Sequence, residues 1–133
     1  MFRLSRKNIG DQSETIAKQY LEQQGLTYIT SNFRCRRGEI DLIMKDRYQL
    51  VFIEVRYRSQ NNYGTAADTI TRKKQKKVIL AAHYYLHKYQ LTERVSCRFD
   101  TVTVQAFPQM PNTGVVGDKK YEIQWLQDAF NTD

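Results

Sequence analysis

Two apolar, β-branched runs separated by a few polar residues, each with acids inside it, constrain this chain more than any other feature. Glu39 to Lys45 and Leu50 to Tyr57 read as strands with Asp46, Arg47, Tyr48 and Gln49 between them, so the spacing predicts a β-hairpin with a four-residue connection. With the turn centred on Arg47 and Tyr48, residue numbers facing each other sum to 95, which sets Asp41 opposite Glu54. Directly opposed residues have Cβ atoms roughly 4.5 to 5.5 Å apart, and like charges at that separation destabilise a sheet unless something neutralises them. The neighbours sharpen the problem. Ile40, Leu42 and Ile43 on one run, and Val51, Phe52, Ile53 and Val55 on the other, are apolar enough for central strands, where an unpaired carboxylate costs several kcal/mol.

A divalent cation resolves the conflict. Mg²⁺ or Mn²⁺ takes oxygen ligands from two carboxylates, water and phosphate, and so presents a phosphodiester to an activated water. Arg56 follows Glu54 by two residues and emerges on the same face. There its guanidinium can hold a scissile phosphate and offset charge that develops in the transition state. Glu39 shares a face with Asp41 and is a candidate further ligand or outer partner. The competing reading is a half-exposed sheet face on which Glu39, Asp41, Glu54 and Arg56 make solvated ion pairs.

Around the hairpin, the pattern predicts a helix from Gly10 to Gln24, with Ile16, Ala17, Tyr20 and Leu21 at helical spacing and Gly25 as a left-handed cap. Glu14 falls on the inward face of that helix, an unusual place for a charge. Leu26 to Thr30 reads as a short strand, followed by a polar loop from Ser31 to Gly38 that carries Arg34, Arg36 and Arg37. Ser59 to Thr69, with Gly64, reads as a loop leading into a helix from about Thr71 to Lys88, buried along Val78, Ala81, Ala82, Tyr85 and Tyr89. Arg98 to Gln105 is a further strand, Phe107 to Gly117 an exposed loop, Tyr121 to Trp125 a last strand, and Leu126, Ala129 and Phe130 a closing turn. The order predicts an α/β domain with a mixed sheet between helices. At 133 residues, one domain over 1–133 is expected, with residues 1–8 and 107–118 flexible.

Charge points to a polyanionic partner. The net charge is +7, and Arg72, Lys73, Lys74, Lys76 and Lys77 crowd the start of the second helix, where the helix dipole is already positive; each opposes the dipole at a cost of roughly 0.3 to 1 kcal/mol at low salt. Phosphate contacts offset that cost, against the alternative of a solvated lysine face. Together with Arg34, Arg36, Arg37 and Arg58 these are the candidate nucleic-acid-binding residues, and Tyr57 and Tyr63 are candidate stacking partners for bases. No signal-peptide stretch and no membrane-length apolar window is present, so a cytoplasmic protein with no membrane partner is expected. Cys35 and Cys97 lack metal-ligand spacing and read as reduced thiols. His83 and His87, spaced i, i+4, have no evident third ligand, and Asp100 is expected to pair with Arg98.

The runs Gly38-Glu39-Ile40-Asp41-Leu42-Ile43, Val51-Phe52-Ile53-Glu54-Val55-Arg56-Tyr57-Arg58 and Arg98-Phe99-Asp100 resemble the YraN family of bacterial proteins. Glu14, Ala17, Tyr20-Leu21, Asn32, Gly64, Lys73 or Lys74, and Ala129-Phe130 extend the resemblance over most of the chain. That family in turn resembles the PD-(D/E)XK nuclease superfamily, and within it archaeal Holliday-junction resolvases. The resemblance implies a three-layer restriction-endonuclease-like core of order α-β-β-β-α-β. It further implies Asp41 and Glu54 as metal carboxylates, the Val55 carbonyl as a further ligand, and Glu14 as a first-helix acid completing the site. Arg56 stands at the superfamily's lysine, and arginine cannot take a proton from water, so hydrolysis would depend on metal-bound water.

Three readings follow. The first is a Mg²⁺- or Mn²⁺-dependent endonuclease on DNA in preference to RNA, acting on branched, nicked or single-stranded regions, with a homodimer suited to a resolvase-like task. The second is a non-catalytic nucleic-acid-binding module on the same fold. The third is a protein-interaction or assembly factor.

Overall fold

The computed structural model describes residues 6–59, 70–106 and 121–132. Two helices and five strands follow one another as α1 (Arg6–Gln23), β1 (Thr27–Cys35), β2 (Gly38–Asp46), β3 (Gln49–Arg58), α2 (Arg72–Lys88), β4 (Ser96–Ala106) and β5 (Tyr121–Phe130). The strands form one mixed sheet in the order β1-β2-β3-β4-β5, antiparallel except for the parallel β3–β4 pair, whose two strands are joined through α2. This is the expected α/β core of order α-β-β-β-α-β, extended by one edge strand.

Each helix covers one face of the sheet, giving three layers. On the α1 side, Ala17, Leu21 and Leu26 pack with Leu42, Met44, Val51, Ile53, Val102 and Val104. On the α2 side, Val78, Ala81, Ala82 and Tyr85 pack with Ile40, Ile43, Phe52 and Phe99. Gly25 closes α1 at φ +103°. Leu26 N–H donates to Leu21 O at 3.0 Å and Gly25 N–H to Glu22 O at 3.1 Å, the paired bonds of a Schellman ending. Thr71 caps α2, its hydroxyl accepting from Lys74 N–H at 3.2 Å. Of the expected stripe on α2, Tyr89 is half exposed but keeps its ring 4.7 Å from that of Tyr85.

Several boundaries differ from the sequence expectation. β1 runs on to Cys35, so Arg34 is a strand residue and only Arg36 and Arg37 remain as the turn before β2. Pairing with β2 holds this segment in the sheet despite its polarity. The β2–β3 connection is two residues, not four: Asp46 pairs with Gln49 around Arg47 at φ +57° and Tyr48. Leu126, Ala129 and Phe130 continue β5 instead of forming a closing turn. Residues 6–8 belong to α1. Residues 1–5 and 107–118, together with Tyr63 and Gly64, lie outside the described residues.

A buried ionic network ties the hairpin tip to β4 and β5. Arg98 Nε donates to Asp100 at 3.0 and 3.1 Å, and its Nη1 to Asp46 at 2.8 Å and Gln49 at 3.1 Å. Asp100, fully buried, also accepts from Trp125 Nε1 at 2.9 Å and Asp128 N–H at 2.8 Å. The expected Arg98–Asp100 pair is thus one part of a larger clamp. Cys35 and Cys97 are free thiols, and burial pushes the Cys97 thiol up. Among the described residues no helix is long and apolar enough to cross a membrane.

Candidate metal and phosphodiester site

The hairpin register is the one that sums to 95: Leu42 faces Ile53, Ile43 faces Phe52, and Met44 faces Val51. Asp41 and Glu54 come next, just where the backbone ladder between β2 and β3 stops. The reason lies in β2. Ile40 packs on the α2 side of the sheet and Leu42 on the α1 side, whereas regular strand residues two apart share a face. The strand therefore changes face at Asp41. On β1, Asn32, between the pairs Ser31–Leu42 and Phe33–Ile40, takes φ +54°. Where the ladder ends, the Asp41 side chain replaces it: Val55 N–H donates to Asp41 Oδ2 at 2.8 Å.

Strand alternation sends Glu54 to the α2 side, opposite to Ile53 and Val55. It is buried, 2% exposed. Lys74, from the first turns of α2, places Nζ 2.9 Å from Glu54 Oε1. The second oxygen, Oε2, is buried without a hydrogen-bond partner, one of two such side-chain atoms among the described residues together with Arg98 Nη2. Asp41, anchored on the N–H of Val55 next to Glu54, lies close enough for the two carboxyl groups to act on each other.

The electrostatics follow from that geometry. Burial pushes the Asp41 carboxyl above its ordinary value, against the lowering effect of the Val55 N–H and the Lys74 charge. Burial, then the neighbouring Asp41 charge, push Glu54 up to about 8, despite Lys74. For Lys74, burial pulls downward, but the hydrogen bond and charge of Glu54 outweigh it and leave the ammonium above its usual value. Near neutral pH the acid pair therefore tends to keep a proton that the two carboxyl groups share.

A cleft of about 250 Å³ opens onto Glu54, lined with it by Val55, Arg56, Tyr57, Ile70, Thr71 and Lys74, while Asp41 stands behind its wall on the Val55 N–H. Arg56 thus lines the same cleft as Glu54. Glu39 is half exposed and paired with Arg34 at 3.1 Å; its charge still reaches Asp41. Glu14 lines a different hollow, about 350 Å³, with Thr15, Lys18, Tyr28, Ser31, Asn32 and Leu42. Among the described residues no group of three or more His, Cys, Asp and Glu side chains converges, so the carboxylate set that does meet is Asp41 with Glu54. A hard divalent cation fits that set: two carboxylates, one with an orphaned buried oxygen, beside the Val55 backbone.

The predicted phosphate contacts divide. Arg34, Arg36, Arg37, Lys74 and Lys77 wall a second cleft, whereas Arg58, Arg72, Lys73 and Lys76 line neither it nor the carboxylate cleft. His83 and His87 are exposed. What the sequence reading missed is the double position of Lys74, at Glu54 and on both clefts. The signal was available in outline: Thr71 as an N-cap puts residue 74 on the first turn, facing the sheet end that its neighbours Lys73 and Lys76 do not reach.

Comparison with known proteins places the chain in a family. Residues 13–104 match the model described as uncharacterised protein family UPF0102. A UPF0102 protein of Coxiella burnetii is 42% identical over 133 residues, all of this chain and 99% of that one. One from Herminiimonas arsenicoxydans is 40% identical, covering 98% of this chain and 92% of that one. One from Nitrosococcus oceani is 42% identical, covering 97% and 96%. With a family model spanning most of its length and relatives matched almost end to end, the chain belongs to the UPF0102 family.

Proposed function

We propose that the protein is a metal-dependent nuclease, with Asp41, Glu54 and the Val55 carbonyl as its cation site and a nucleic-acid phosphodiester as its substrate. The observation that carries this reading is the buried Glu54 with Oε2 left unsatisfied, next to Asp41 held on the Val55 N–H. Two acids packed together under an apolar sheet are costly unless a cation or proton joins them. A bound Mg²⁺ or Mn²⁺ would lower the pKa of a coordinated water and supply a Lewis acid for the phosphoryl oxygen.

The chain's own groups divide the remaining work. The Val55 N–H fixes the Asp41 carboxylate. Arg56, permanently charged, binds and orients phosphate but cannot serve as base. Lys74 stands on the other wall of the cleft, positioned to hold a phosphoryl oxygen or to donate a proton to a leaving oxygen. The test is incubation of the protein with Mg²⁺ or Mn²⁺ and a panel of single-stranded, nicked and branched DNA and matching RNA. Cleavage of at least one substrate, lost in Asp41→Asn and Glu54→Ala, is expected; no cleavage of any would count against the reading.

A second reading has one observation in its favour. Lys74 alone can neutralise Glu54, which suits a binding module that needs no metal. It predicts salt-dependent nucleic-acid binding without hydrolysis, unaffected by Asp41→Asn.

A further inference from the structure

Beside the carboxylate cleft lies a larger one of about 390 Å³, walled by Arg34, Arg36, Arg37, Lys74 and Lys77. One carboxylate lines it, Glu39, and that group is already taken by Arg34. The wall is fixed by backbone. A Cβ on Gly38 would lie 2.3 Å from the Lys77 carbonyl oxygen, so the Arg36-Arg37 turn is pressed against α2 as closely as a glycine permits. Lys74 lines both clefts, with its ammonium on Glu54 at their junction.

We propose that the second cleft is a phosphate subsite for the same strand, holding a backbone phosphate of DNA or RNA adjacent to the phosphodiester at Asp41 and Glu54, with Lys74 as the shared wall. The inference rests on the nuclease reading for what fills the neighbouring cleft, and deepens it by defining the substrate. The substrate is a strand long enough to place phosphates in both clefts, gripped through its backbone and not through base edges. A dinucleotide with a single phosphate can fill one cleft only. Arg36, Arg37 and Lys77 then act as positioning residues, setting which phosphodiester reaches the acids.

The test measures binding by fluorescence anisotropy in chelator without metal. The probes are single-stranded DNA and RNA of about twelve nucleotides, a length within ordinary strand-binding site sizes, and a one-phosphate dinucleotide. Arg36→Ala combined with Arg37→Ala is compared with Lys73→Ala combined with Lys76→Ala, which removes equal charge from α2 outside both clefts. The arginine variant is expected to bind the longer strand about tenfold or more weakly, with the slope of log K against log salt falling by roughly 0.7 for each phosphate no longer neutralised. The lysine variant should weaken less, and in the arginine variant dinucleotide binding should fall less than binding of the longer strand. Weakening with either DNA or RNA supports the subsite and tells which backbone it takes. Equal weakening in the two variants, equal weakening for the dinucleotide, or full competition by a mononucleotide at the strand's own affinity would overturn it. Because no metal is present, the outcome is independent of whether Asp41 and Glu54 hold a cation.

Discussion

Among the described residues Glu54 carries a sharp conflict: a carboxyl 2% exposed, beside a second acid and answered by one half-exposed lysine. Folding raises its pKa from an ordinary 4.5 to about 8, so the fold favours its protonated form. Its contribution to stability is therefore fully present below 4.5 and is lost as the pH rises through about 8. Glu54→Gln removes that loss. The variant is expected to be more stable than wild type by on the order of 1 kcal/mol at pH 8.5, with the gain shrinking toward pH 4, as read from urea denaturation. A variant less stable at the higher pH would show that Glu54 is held ionised by Lys74. Arg98 presents the opposite case, a largely covered cation with Asp46, Asp100 and Gln49 around it. Arg98→Met leaves Asp100 buried without its counter-charge and should cost about 3 kcal/mol. A cost below about 1 kcal/mol, the range of surface pairs, would mean the clamp is dispensable.

At the scale of elements, the hairpin was legible in the sequence because a two-fold apolar pattern fixes strand register. Its consequence, Asp41 beside Glu54, needed only the residue numbers. The exact pairing at Asp41 was not legible: β2 changes face there, and the positive φ at Asn32 that accompanies it leaves no pattern in composition. β1 was read too short because Ser31 to Cys35 is polar and arginine-rich, and pairing to β2 overrides that local preference. The joining of the arginine turn to α2 was likewise hidden, since a glycine in a sequence does not announce what lies against it. Gly38→Ala tests that close approach. The added methyl meets the Lys77 carbonyl oxygen, and a destabilisation of about 1 to 3 kcal/mol in urea unfolding is expected. Unchanged stability would show that the turn moves freely from the helix.

At the scale of the whole molecule, the sheet end near Asp41 gathers what the rest of the chain keeps apart. Hairpin acids, the Arg36-Arg37 turn and the start of α2 meet there, and an overall charge of +7 draws polyanions toward it. Lys74 belongs to both clefts, so its removal should separate their functions. Lys74→Gln is expected to leave cation binding intact or tighter while weakening oligonucleotide binding several-fold. Parallel loss of both would make the residue a structural support of the acid pair. The most direct test of the central claim, that two acids on neighbouring strands share one cation, is calorimetric titration of Mn²⁺ into wild type and Asp41→Asn at pH 7 and 8.5. One saturable site is predicted, tighter at the higher pH by up to about tenfold per unit below the Glu54 pKa because a proton must leave as the cation binds, and absent in the variant. Binding that persists in Asp41→Asn, or no binding by wild type at either pH, would contradict it.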